Sequence, residues 1–146
     1  MTPLYAMMHR WASEPFVWGW SDCALCAIAD WHMALHGSDP AAHLRGTYDS
    51  PQSCQRVTGW FTDPVKVVED ALATVGGRPR VDTPALGDVA IIRIPQAGGK
   101  TTPVAAIWLG DCWGVRCEDG AIDNRKSMTV GPMVPVLAVW EFGYEG

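Results

Sequence analysis

Basic residues are scarce in this 146-residue chain: 11 Lys and Arg stand against 16 Asp and Glu, for a net charge of −5. Duplex nucleic-acid binding needs clustered cations to displace counterions, and these few are scattered, so that class is excluded. No apolar run approaches the roughly 18–20 residues of a membrane span. The start, MTPLYAMMHRWASEPF, lacks a basic segment followed by an apolar one, so no secretory signal is expected. Internal repeats and low-complexity stretches are also missing. Five cysteines, an odd number without a signal, fit synthesis in a reducing compartment better than a disulfide scaffold. Histidine is confined to His9, His32, His36 and His43, so the last hundred residues contain no imidazole.

What the chain does have is apolar material. Hydrophobic residues make up 48% and charged ones 18%, enough for one domain over 1–146 with a sizeable core. Eight tryptophans are several times the ordinary share. Trp31 belongs to a helical stripe and is expected in the core. Trp18 is expected to pack under the turn that follows it. Trp20, Trp60, Trp108, Trp113 and Trp140 are too many to bury easily, which leaves some as anchors for a partner or as the lining of a cleft.

Local patterning divides the chain. Leu4, Met7, Met8 and Trp11 recur at helical spacing before Pro15. After Ser21-Asp22, the residues Ala24, Leu25, Ile28, Trp31, Ala34 and Leu35 mark an amphipathic helix that Gly37 stops. Asp39-Pro40, Ser50-Pro51 and Asp63-Pro64 each pair a cap with proline at the first helical position. The second half changes to short β-prone runs: Val89 to Ile94, Val104 to Leu109, Trp113 to Cys117 and Val134 to Glu141. Gly98-Gly99 reads as a hairpin tip. Helices first and strands afterwards predict an α+β domain, with a helical N-terminal half packed on a small antiparallel sheet.

The sharpest chemical feature is Trp18-Gly19-Trp20-Ser21-Asp22-Cys23 running into that helix. A thiol in the first turn of a helix faces the positive end of the macrodipole and free N–H groups, both of which favour thiolate. Cys23 is therefore the candidate nucleophile, although an unpaired Cys is as commonly a small buried hydrophobe. Cys23-x-x-Cys26 with Cys112-x4-Cys117 also has the make-up of a thiolate metal site. The pair nevertheless sits amid Ala24, Leu25 and Ala27 without the tight turn of a zinc knuckle, so no metal and no cofactor is expected. Cys26 and Cys54 read as core residues.

The segment FVWGWSDC followed by an apolar helix resembles the nucleophile segment of NlpC/P60-type cysteine peptidases. Leu86-Gly87-Asp88-Val89 resembles that family's Gly-Asp turn into the first core strand, and Ala106-Ile107-Trp108-Leu109-Gly110 resembles the next strand. The run FVWG–DC–ADW, with Gly37 to Ala42 and Leu44 to Tyr48, is similar to a family of small phage and prophage proteins related to NlpC/P60. The resemblance spans about residues 14–140. It implies a papain-like α+β fold and a place among phage tail proteins, in the virion after assembly and in the host cytoplasm before it. Hub and neighbouring tail-tip or baseplate proteins are then the implied partners.

The chain departs from the peptidase pattern where catalysis depends on it. The resemblance puts Val104 where active members carry the catalytic His, and Thr101, Thr102 and Pro103 supply no imidazole. The third polar position falls among Gly114, Val115 and Cys117, while Arg116 stays protonated and is no base. His32 and His36 lie roughly 13–20 Å up the helix axis from Cys23 at 1.5 Å per residue. His43, arriving from a loop, is the one base that can be constructed. A cysteine hydrolase needs such a base within about 3 Å. The expectation is a tail-tip structural or adaptor subunit on an incomplete peptidase-like fold. The alternative is a working peptidoglycan endopeptidase using Cys23.

Overall fold

The computed structural model describes residues 1–118 and 127–146. Four helices come first: α1 (Pro3–Ser13), α2 (Leu25–His36), α3 (Pro51–Thr58) and α4 (Pro64–Ala73). The strands β1 (Arg80–Val81), β2 (Val89–Pro95), β3 (Thr101–Trp108), β4 (Trp113–Arg116), β5 (Ser127–Val130) and β6 (Val136–Trp140) follow. They form one antiparallel sheet in the order β1-β6-β2-β3-β4-β5. The architecture is thus α+β, with the helical half preceding the sheet. Among the described residues, no helix is long and apolar enough to cross a membrane.

Capping explains where the helices begin. Thr2, Ser50 and Asp63 each accept a backbone N–H from the first turn of the helix they precede, and proline opens α1, α3 and α4. Ser50 and Ser53 form a reciprocal capping box at α3. Ser50→Ala is expected to cost about 1 kcal/mol, seen as a drop of roughly 3 °C in a thermal melt. The Asp39-Pro40 signal, read as a helical turn over Pro40 to Leu44, yields successive turns over 40–46, with the Leu44 and Arg45 amides on the Ala41 carbonyl.

Alternation on β2 and β3 divides the apolar residues between the two faces of the sheet. Val89, Ile91, Ala105 and Ile107 join Leu25, Ile28, Trp31 and Trp60 in the main core. Ala90, Ile92, Val104 and Ala106 join Trp113, Val115 and Val139 in a second cluster. Of the crowded tryptophans, Trp60, Trp113 and Trp140 are buried and Trp20 stays 56% exposed. Three buried indoles find acceptors, Trp31 on the Gly87 carbonyl, Trp60 on that of Pro103 and Trp140 on the Glu69 carboxylate, whereas the buried N–H groups of Trp11 and Trp18 have none among the described residues.

Candidate functional site

The chain approaches α2 through a tightly bonded turn. Ser21 Oγ donates to the Pro15 carbonyl and accepts from the Val17 amide, while the Trp20 and Ser21 amides both reach the Val17 carbonyl. Gly19 has φ +87°, and a Cβ there would lie 2.1 Å from the Tyr48 carbonyl oxygen, so no other residue fits. Arg45 clamps the turn from outside. Its guanidinium donates to the Trp20 carbonyl and pairs with Asp30 and Asp39 at 2.8 and 2.7 Å. Gly46 donates to the Gly19 carbonyl, and a side chain there would strike the Trp20 indole.

Asp22 is the hub of this turn. It is fully buried and accepts from the amides of Gly19, Ala24 and Cys26 and from Tyr48 Oη at 2.7 Å. Because the Tyr48 hydroxyl donates to the carboxylate, it accepts from the Cys26 thiol 3.6 Å away. Arg45, Gly46 and Tyr48 stand out in the sequence beside the FVWGWSDC segment, and in the fold all three hold that segment's turn.

Cys23 therefore differs from the expected helix-borne thiol. By reaching past Cys23 to the Ala24 and Cys26 amides, Asp22 delays the helix, which starts at Leu25 with Ala24 in the cap position. Cys23 precedes the first turn, and its carbonyl accepts from the Ala105 amide of β3 at 2.9 Å. Burial pushes its pKa well above the ordinary thiol range, and the adjacent Asp22 charge raises it further. The thiol is held protonated, opposite to the thiolate that a helix N-terminus would favour.

Cys23 opens on a cavity of about 780 Å³. Trp18, Phe61, Ile94 and Val104 give it apolar walls, and Gln96, Lys100, Thr101, Thr102 and Glu118 bring polar groups from the β2–β3 hairpin and from just beyond β4. Trp18 lies between Phe16 and Phe61 on the wall of this cavity. Val104 and Cys23 thus line one cavity, the relation the peptidase pattern requires of nucleophile and base, but position 104 is apolar. No histidine is among the described residues lining it. Glu118 brings a carboxylate to the cavity, not an imidazole. Arg116 is buried and donates to the Glu14 and Pro15 carbonyls, bracing the chain ahead of the turn.

The other sequence candidates lie elsewhere. His43 is exposed and lines a separate cavity of about 510 Å³ between α3 and α4, with Gln55, Asp63, Lys66 and Asp70. His32 and His36 bond to the Ser38 and Phe142 carbonyls. Cys26 and Cys54 are buried, as expected of core residues. Cys112 lies in the turn between β3 and β4, where its carbonyl accepts from the Leu109 amide. Among the described residues, no three His, Cys, Asp or Glu side chains gather to hold a metal ion. The polar lip of the Cys23 cavity was not legible in sequence, because Gln96, Lys100 and Glu118 carry no motif and meet Cys23 only through the hairpin.

The family model described as Domain of unknown function (DUF6950) matches residues 1–141. The chain belongs to the DUF6950 family. That match takes in the turn, the cavity and all six strands of this DUF6950 domain. No curated protein and no solved structure matches the chain.

Proposed function

We propose that this DUF6950 protein is a structural or adaptor subunit of a phage tail tip or baseplate, built on an NlpC/P60-type, papain-like fold whose catalytic site is incomplete. The observation that carries the non-catalytic part is the pairing of Cys23 with Val104 across one cavity that no described histidine lines. A half-buried thiol held protonated has no imidazole there to take its proton or to protonate a leaving amine. The tail assignment rests on the sequence resemblance, and the exposed Trp20, whose backbone carbonyl accepts from Arg45, suits a subunit that docks on hub or neighbouring tail proteins. In this reading the protein resides in the virion and passes through the host cytoplasm before assembly.

Digestion of purified peptidoglycan, read by mass spectrometry beside an active control hydrolase, tests the reading. Neither the protein nor Cys23→Ala is expected to release peptides. Release that disappears in Cys23→Ala would establish the rival, a peptidoglycan endopeptidase acting during tail-mediated cell-wall penetration. Absence of the protein from purified particles of a phage that encodes it would sink the adaptor role.

A further inference from the structure

The C-terminal end of α2 carries a second polar cluster, formed by residues the Cys23 cavity does not use. His32 is fully buried. Its Nδ1 donates to the Ser38 carbonyl at 2.9 Å, which leaves Nε2 as the acceptor for Arg78 Nε at 3.3 Å. The ring stands edge-on to Phe142, with centroids 5.4 Å apart, and 4.9 Å from the His36 ring. His36 Nε2 donates to the Phe142 carbonyl at 2.7 Å. The Glu141 amide donates to the Pro79 carbonyl, so the segment carrying Arg78 and the segment carrying Phe142 are tied to each other as well as to α2.

A proton added at Nε2 converts the acceptor into a donor aimed at the Arg78 N–H, with two cations face to face. We infer that His32 is a proton-operated latch: its protonation detaches the Arg78 segment from the end of α2, while Phe142 stays held by His36 and by the Asp88 carboxylate. The charged groups around it are Arg78 from the α4–β1 connection, His36 one turn along α2, and Asp39 beyond the helix end. Burial, then Arg78 and His36, lower its pKa below the ordinary imidazole value, while the Ser38 carbonyl and Asp39 work the other way. With the folded pKa below the unfolded one, the latch contributes fully above about pH 6.5 and weakens as pH falls from there towards the folded value. His36 is not the trigger, because its Nε2–H still donates to Phe142 when the ring is charged. This inference is independent of the function proposed for the Cys23 cavity.

Hydrogen exchange of the full chain from pH 7.5 to 5.0, corrected for the intrinsic pH dependence of exchange, tests the latch. Peptides covering residues 76–82 are expected to open increasingly below about pH 6.5, by up to tenfold per pH unit, the limit for one proton. Peptides from the β2–β3 hairpin should not follow. His36→Gln should keep the response, and Arg78→Gln, at a partly exposed position, should weaken it. His32→Asn, which retains a donor for Ser38, should abolish it. Should His32→Asn fail to fold, the wild-type His32 ring read by NMR decides: an Nδ1–H tautomer and a midpoint below 6.5 uphold the latch. A midpoint at or above 6.5, flat exchange across the range, or an undiminished response in Arg78→Gln would overturn it.

Discussion

Asp22→Ala is expected to lower the stability of the protein by about 3–5 kcal/mol, a large share of the 5–15 kcal/mol that holds a typical domain together. The carboxylate is buried without solvent contact, and its removal strands the Gly19 and Ala24 amides, the longer-bonded Cys26 amide and the Tyr48 hydroxyl. An unsatisfied buried donor costs about 1–3 kcal/mol, with some recovered by water or rearrangement. At about 3 °C per kcal/mol for a chain this long, the melting temperature should fall by roughly 9–15 °C. Asp22→Asn keeps one acceptor oxygen for the α2 amides but turns an NH₂ towards the Gly19 amide and Tyr48, so its loss should be intermediate. Tyr48→Phe deletes a single donor and should cost about 1–2 kcal/mol. A loss below 1 kcal/mol in Asp22→Ala, measured by denaturant titration, would show that the turn is held by something other than this hub.

The prominence of Asp22 bears on what the sequence could and could not disclose. Caps and prolines are local signals, so α3 and α4 begin where Ser50-Pro51 and Asp63-Pro64 indicate. The β2 and β3 runs were legible for the same reason, being long and apolar. Strands β1 and β5 were not. Arg80–Val81 becomes a strand only because Trp140 and Val139 lie opposite it, and the Ser-Met-Thr-Val alternation of Ser127–Val130 is only four residues long, too short to stand out. β1 owes its state to a partner strand distant in sequence, which no local pattern records. The start of α2 failed differently. Ser21-Asp22 read as an ordinary cap, but Asp22 bonds residues 24 and 26 together with Gly19 and Tyr48, and this four-way grip holds Cys23 out of the helix. The direction of the thiol pKa follows from that displacement and from burial, neither of which spacing alone reveals.

Val104→His is expected to change the chemistry of Cys23 more than any other single substitution. Val104 lies on β3 next to Ala105, whose amide holds the Cys23 carbonyl, and both side chains line the same 780 Å³ cavity. An imidazole at 104 can extend into that space and stabilise a thiolate as an ion pair, the arrangement by which cysteine hydrolases bring thiol pKa values well below 8. In the wild-type protein, burial and the Asp22 charge hold the thiol protonated, so alkylation by iodoacetamide at pH 7.5 should run at least about tenfold slower than that of a free cysteine. Val104→His should accelerate alkylation of Cys23 by at least about tenfold, with the modified residue identified by peptide mapping and Cys23→Ala as the blank. The pH profile separates causes: a true pair gives a rate that rises through a midpoint below that of the wild type, whereas mere loosening of the cavity raises the rate without moving the midpoint. Hydrolysis need not follow, because Gly114, Val115 and Cys117 offer no group to orient the new imidazole. A gain in thiolate without peptide release would show that a base at 104 does not by itself make this cavity a hydrolase site. An unchanged rate and midpoint in a folded variant would mean that β3 does not present position 104 to Cys23, and the papain-like reading of this cavity would fall with it.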